Sequence, residues 1–365
     1  MNSKKMPPLR IGDLETRIPI IQGGMGVGVS LSGLASAVAN AGGIGVIATA
    51  GIGMFEIDFF KNVNAANRSA LRKEILKARK MTKGILGVNI MVALSDFDNL
   101  VDASVDCGID IIFMGAGIPS YNPKVKPLDP SRKVFPKLVP IVSSGRVTKM
   151  IFQYWERHFE YIPDAVVLEG PMAGGHLGYK WENIEDPAFR LENLLPEVIA
   201  EVEPFRKKYG KDIPVIAGGG IYTGKDIYEI MKKGAAGVQM ATRFVATEEC
   251  DAAPEFKDMY IKCKKEDIML IHSPVGLPGR AVRNAFLNDV EAGLKKPFKC
   301  PWKCLRTCEY QNVPYCIALA LTNAKLGKLE NGFAFTGANA YRIDRIMKVQ
   351  ELVDSLEKEY SEAAG

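Results

Sequence analysis

The sequence predicts an α/β protein: a (β/α)8 TIM barrel with a mostly helical insertion near its carboxyl end. Three features point there. Eight short apolar, β-rich runs lie between residues 18 and 242, a helix-length segment follows each, and beyond residue 242 the alternation stops. The runs are continuous rather than alternating, as parallel strands covered on both faces should be.

The expected strands are "IPIIQGG" (18–24), "IGVIAT" (44–49), "GILGVNIMV" (84–92) and "IDIIFMG" (109–115), then "LVPIVSS" (138–144), "DAVVLEG" (164–170), "IPVIAGGG" (213–220) and "AAGVQMAT" (235–242). Helical segments between them include "LSGLASAVANAG" and "GKDIYEIMKKGA". A doubly wound open sheet is the alternative, but it needs no eighth strand and usually opens on a phosphate-binding glycine motif. Residues 245–335 gain cysteines, prolines and basic residues and read as a helical cap. Residues 343–360 place apolar side chains at helical spacing and read as a closing amphipathic helix. The expected division is therefore a barrel from 1–244 plus 336–365, with the cap over 245–335.

Composition sets limits on function. The 365 residues are 47% hydrophobic and 24% charged, which is enough for a large core without disulfide staples. A net charge of +5 is too mild to mark a nucleic-acid binder, though it suits anionic ligands. The basic start "MNSKKMPPLR" has no apolar run behind it, so no signal peptide is expected, and no apolar stretch is long enough for a membrane span. Seven cysteines without a secretory signal are expected to be reduced, in a cytoplasmic protein. A homodimer is compatible with all of this.

In such barrels chemistry sits at the carboxyl ends of the strands. There this chain places Gly23, Gly24 and Met25 after strand 1, Asn89 on strand 3, and Gly115 to Gly117 after strand 4. Glu169 ends strand 6, followed by Gly175 and His176; Gly218, Gly219 and Gly220 follow strand 7; Gln239, Met240, Ala241 and Thr242 end strand 8. Glycine at so many ends suits close backbone approach to a large flat ligand, although barrel corners also use glycine for tight turns. The pairing at strands 7 and 8 suggests a phosphate site completed by a helix N-terminus.

His176 is one of three histidines and is flanked by glycines in "EGPMAGGHLG". Overlooking the barrel mouth, it could act as acid, base or hydrogen-bond donor; bracing the turn is the plainer role. His158, within "YWERHFEY", reads as structural, and His272 is left open. Cys300, Cys304, Cys308 and Cys316 fall within one short segment. On a straight helix Cys300 and Cys308 would lie about 12 Å apart, so ligation of a metal or iron–sulfur cluster needs the bend that Pro301 and Pro314 allow. The spacing is neither a zinc ribbon nor a ferredoxin run, and packed thiols are the alternative.

"PIIQGGMGVGVSLSGLASAVANAGGIGVIATAG", "GVNIMV", "LEGPMAGGHLG", "IPVIAGGGI" and "GVQMATRFVATEE", in that order, resemble the nitronate monooxygenase (2-nitropropane dioxygenase) family, which includes flavin-dependent enoyl-acyl carrier protein reductases. The resemblance implies an FMN-binding barrel. Gly23, Gly24 and Met25 would line the isoalloxazine, Asn89 would bond the flavin or its ribityl chain, and Gly218, Gly219 and Gly220 with Gln239 to Thr242 would hold the phosphate. His176 would be the catalytic histidine. Many relatives carry an acid in "EAGGH"; here Met172 and Ala173 stand there. The implied activity is NAD(P)H-driven reduction of a small substrate such as an enoyl thioester or quinone, with O2-dependent oxidation of alkyl nitronates as the alternative. A flavin-binding sensor without turnover and a flavin-free phosphosugar barrel are the rivals from other classes.

Overall fold

Eight parallel strands hydrogen-bond into one sheet that closes on itself. The computed structural model describes residues 5–121, 135–296, 300, 302–306 and 308–365. Its barrel strands are β1 (Ile20–Gln22), β2 (Gly45–Ala48), β3 (Leu86–Met91), β4 (Ile111–Gly115), β5 (Lys137–Val142), β6 (Val166–Glu169), β7 (Val215–Gly218) and β8 (Gly237–Met240). Each coincides with an expected run to within a few residues. Pairing follows chain order from β2 to β8, and β8 then pairs with β1. A parallel bridge between Ile21 and Ile44 closes the ring, with Gln22 N–H on the Ile44 carbonyl at 2.9 Å. An open doubly wound sheet would leave two edges, and none remains here.

Side-chain alternation divides the core. Ile111, Phe113, Val139, Val167 and Ile216 fill the barrel, whereas Ile112, Leu138, Val166, Leu168 and Val215 join the larger core outside it. A short amino-terminal hairpin, Arg10–Ile11 with Leu14–Glu15, was not foreseen. It sends Leu9 and Ile11 into the barrel cluster, and Leu9 lies against Gly237 at the amino end of β8. That end is plugged, so the carboxyl end is the open one.

The crossovers are α1 (Ser32–Asn40), α2 (Val63–Met81), α3 (Phe97–Asp106), α4 (Gly145–Phe159), α5 (Leu191–Tyr209) and α6 (Gly224–Lys232). Most of the β4–β5 connection, residues 122–134, lies outside the described residues. After β8 a single-turn helix α7 (Thr242–Val245) leads the chain away from the barrel. The excursion holds α8 (Pro254–Lys262), a hairpin β9 (Ile268–His272) and β10 (Pro278–Val282), α9 (Ala285–Glu291) and α10 (Ile317–Lys325). The chain then returns as α11 (Val349–Ala364), which packs against α6 and α1 in the place of the eighth barrel helix.

Two expectations need correction. The insertion is not helices and loops alone: β9 and β10 pair antiparallel, and β10 also pairs with the two-residue strand Gly175–His176 of the barrel loop. Five-residue strands are too short for their period to stand out, and this partner lies about a hundred residues away in sequence. The closing helix starts at Val349 rather than 343, because the preceding segment runs extended and bridges Thr247 through Met347. Among the described residues no helix is long and apolar enough to cross a membrane.

Candidate active site

A cleft of about 1580 Å³, its open mouth included, lies at the carboxyl ends of the strands. Its wall contains Gly23, Gly24, Met25, Asn89, Glu169, Gly175, His176, Gly219, Gly220, Gln239, Met240, Ala241 and Thr242. Gly115 and Ala116 also line it, but Gly117 and Gly218, expected at the same face, do not. Gly218 ends β7 inside the ladder, fully buried, with its carbonyl taken by Gly170 N–H at 2.8 Å.

Three polar side chains in this wall lack partners among the described residues. The carboxamides of Asn89 and Gln239 and the carboxyl of Glu169 make no side-chain hydrogen bond, although the main-chain carbonyls of Asn89 and Glu169 are used. Polar groups at the edge of a core are ordinarily paired, so three left open around one cleft are suited to a ligand.

The backbone amides divide the same way. At α6, Thr223 and Asp226 form a capping box, and Gly224 N–H donates to Glu359 at 2.6 Å. At α1, Asp251 accepts from Leu31, Gly33 and Leu34 N–H at 2.8–3.1 Å. Both helix ends are therefore already served by carboxylates. The amides of Gly220, Ala241 and Thr242 have no acceptor among the described residues, and α7 has no side-chain cap. The anion position that remains lies between the β7 loop and α7, not at α6.

The glycines serve more than close approach to a ligand. A Cβ on Gly24 would stand 2.4 Å from that of Asn89, so Gly24 is needed for packing. Gly219 and Gly220 adopt φ of +94° and +87°, the left-handed region that favours glycine.

His176 is placed by two neighbours that sequence reasoning missed. Arg280 of β10, buried, donates from Nη1 to the carbonyls of Pro171 and Ala173, each at 2.6 Å, and so fixes the loop between Glu169 and His176. Burial lowers its pKa to about 10, which leaves it charged at neutral pH. Ser273, just after β9, has Oγ 2.7 Å from His176 Nε2. Val275 N–H donates to that oxygen at 3.4 Å, and Nε2 is the one acceptor found for the hydroxyl among the described residues. A hydroxyl that donates to Nε2 leaves the proton of the neutral ring on Nδ1. Ser273→Ala is expected to free the ring and lower turnover about tenfold with the fold intact, read by steady-state kinetics and a thermal melt.

Burial moves two groups of the cleft in opposite directions. It raises Glu169 to about 7 and lowers His176 to about 4. A raised carboxyl makes the folded chain hold its proton longer than the unfolded chain, so stability falls as pH rises from about 4.5 to about 7. A lowered imidazole makes the folded chain shed its proton earlier, so stability rises with pH from about 4 to about 6.5. In the flavin-free protein the slopes offset one another where they overlap. Glu169→Gln is expected to uncover the rising slope and His176→Asn the falling one, each about 2–4 °C in Tm across its window, measured by thermal melts from pH 4 to 8.

The remaining expectations resolve simply. His158 is exposed on α4 and packs on Tyr154 with ring centroids 4.5 Å apart. His272 is exposed and stacks on Trp181 at 4.1 Å, outside the cleft wall. Cys300, Cys304, Cys308 and Cys316 are all free thiols. Burial, and then its neighbours Cys316, Cys300 and Cys308, push the Cys304 thiol up to about 12. Among the described residues no three His, Cys, Asp or Glu side chains converge as a metal would require. Pro301, invoked to bend the segment, lies outside the described residues.

A closed parallel barrel with open amides and a fixed histidine at its carboxyl face defines an enzyme of the TIM-barrel class. The family model for nitronate monooxygenase matches residues 8–359, and the chain belongs to that family of flavin-type oxidoreductases. Two (3aS,4S,5R,7aS)-5-hydroxy-7a-methyl-1-oxo-octahydro-1H-indene-4-carboxyl-CoA dehydrogenases, from Rhodococcus jostii and Mycobacterium tuberculosis, are 26% identical over 75% of this chain. The matched part spans 65% and 66% of their own length, just under two thirds. A probable nitronate monooxygenase of Staphylococcus saprophyticus is 26% identical over 76% of this chain and 79% of its own. Among solved structures, FabK from Thermotoga maritima has a TM-score of 0.71 at 28% identity, covering 96% of this chain and 94% of FabK. A nitroalkane oxidase from Streptomyces ansochromogenes, at 23% identity and TM-score 0.71, covering 96% of this chain and 97% of its own, shares the fold.

Proposed function

We propose that the chain is an FMN-dependent oxidoreductase that uses NAD(P)H to reduce a small substrate, an enoyl thioester or a quinone. The observation that carries this is the set of open groups around one cleft: Asn89, Glu169 and Gln239 side chains beside the amides of Gly220, Ala241 and Thr242. They fit a ligand with a polar ring edge and a phosphate. Gly219, Gly220, Ala241 and Thr242 would hold the phosphate, Gly23, Gly24, Met25 and Gly175 would stand along the ring system, and Asn89, Glu169 and Gln239 would bond its polar atoms. When bound, the flavin supplies the hydride chemistry, and the protein supplies orientation and charge.

His176, neutral above about pH 4, carries its proton on Nδ1 and can donate a hydrogen bond without holding a charge. A neutral imidazole in this state polarises a carbonyl oxygen, which suits a thioester or quinone. The apolar side chains of Met25, Val27 and Met91 in the same wall exclude water from the reacting groups.

Oxidation of alkyl nitronates with O2 is the second reading, supported by the family's name and the names of the staphylococcal relatives. A nitronate is already deprotonated, so a weakly basic His176 is compatible with it. The experiment compares anaerobic NAD(P)H consumption with a 2-enoyl thioester or a quinone against O2 uptake with propyl-2-nitronate. The proposal expects the first to be faster by at least about tenfold; the reverse order would establish the second reading.

A further inference from the structure

A second, almost wholly apolar cavity adjoins the cleft. It is small, about 60 Å³, and Val27, Ala50, Met91, His176 and Leu321 line both it and the cleft. Loops of the barrel form one side, and Leu305 with Ile317, Ala318 and Leu321 of the insertion forms the other. Protein interiors leave few voids larger than a water molecule, and this one, continuous with the cleft beside the histidine, has room for a slender apolar group.

Away from His176, Asn67 and Asp96 are polar residues set into its wall. Asp96 is only 4% exposed. It occupies the N-cap position of α3, where an aspartate ordinarily accepts an N–H of the first turn, yet its side chain makes no such bond. Instead Asp96 Oδ2 accepts from Asn67 Nδ2 at 2.7 Å, and Asn67 Oδ1 accepts from Gly53 N–H at 3.0 Å. A carboxylate can take about four hydrogen bonds, and Asn67 is the one side-chain donor that reaches this one among the described residues. Burial raises its pKa, opposed by Asn67, by the residue's own backbone N–H and by the charge of Arg68. Tying α2 to the start of α3 needs a single carboxylate oxygen and no cavity at all. A carboxyl short of donors at an apolar wall is costly unless something supplies them.

We propose that this cavity is the substrate's specificity pocket, taking an apolar chain or ring that bears a hydroxyl group, with Asp96 receiving that hydroxyl. The inference rests on the neighbouring cleft being the reaction site. A hydroxyl fits better than an ammonium, because a second charge would also have to be stripped of water in this pocket.

The test uses the flavin-loaded full chain and two probes of equal heavy-atom count, 1-octanol and 1-methoxyheptane, titrated by calorimetry and by the shift in flavin absorbance. Octanol is expected to bind about tenfold tighter. Asp96→Leu should bring that ratio to about one while leaving methoxyheptane within about twofold. Ala318→Phe, which fills the cavity from α10, should weaken both probes at least about tenfold. Should Asp96→Leu not fold, Asp96→Asn serves in its place, with the ratio expected to fall to about threefold. Equal affinities in the wild type, a preference left at about tenfold in Asp96→Leu or Asp96→Asn, or binding untouched by Ala318→Phe would each overturn the inference. Bleaching by NAD(P)H is recorded on the same samples. An octanol preference without bleaching would fell the reductase reading alone, and bleaching without the preference would fell this inference alone.

Discussion

His176→Ala is expected to keep FMN bound and to slow the substrate half-reaction by about 10²–10⁴-fold, the usual range for losing a positioned proton donor or acceptor. The histidine lines the cleft, and its contacts run to Ser273 and to the edge of Phe335, whose ring centroid lies 4.9 Å away. Neither contact holds the β7 loop or α7, so flavin content should survive the change. Stopped-flow mixing of reduced enzyme with a saturating enoyl thioester measures the effect, and flavin reduction by NAD(P)H in the same variant should change by less than about threefold. Unchanged reoxidation by the thioester would remove His176 from the chemistry and leave it as a brace for the loop.

Ala241→Asp is expected to weaken FMN binding by about 10²–10³-fold without unfolding the chain. Ala241 stands at the open end of α7 with φ −127°, which any L-residue adopts, and its amide has no acceptor among the described residues. A carboxylate there competes for the free amides and repels a phosphate; a like-charge contact costs several kcal/mol, at about 1.4 kcal/mol per decade of affinity. Equilibrium dialysis against FMN reads the affinity, and a thermal melt of the flavin-free protein should move little. Gly219→Val is a blunter probe. A Cβ at Gly219 would stand 2.7 Å from the Gly170 carbonyl, on a backbone of positive φ, so strain and a blocked phosphate site would be confounded.

The barrel was legible because parallel strands buried on both faces write long apolar runs, and eight such runs leave few alternatives. The same runs located the cleft, since residues at their ends share the open face. What stayed hidden depends on register or on distant pairing. Gly218 and Gly219 read alike in "AGGG", yet one lies inside the ladder and the other outside it. The α6 N-terminus is occupied by Glu359, a partner far along the chain that no local pattern announces. Ser273 and Arg280 reach the His176 loop from a hairpin whose strands are too short to read by period; "IHSPVGLPGR" held both residues, and its proline–glycine turn was the available signal. Asp96 holds the N-cap position of α3, but its side chain turns from the helix to Asn67, which only the structure reveals.

The most direct measurement is an absorbance spectrum of the chain purified without oxygen, followed through addition of NADH and then NADPH. An oxidised-flavin spectrum is expected, at about one FMN per chain, bleaching within seconds under at least one of the two nucleotides and recovering on addition of an enoyl thioester or a quinone. A colourless protein that takes up no FMN, or a yellow one that neither nucleotide bleaches, would contradict the assignment of this cleft to an NAD(P)H-driven flavin reductase.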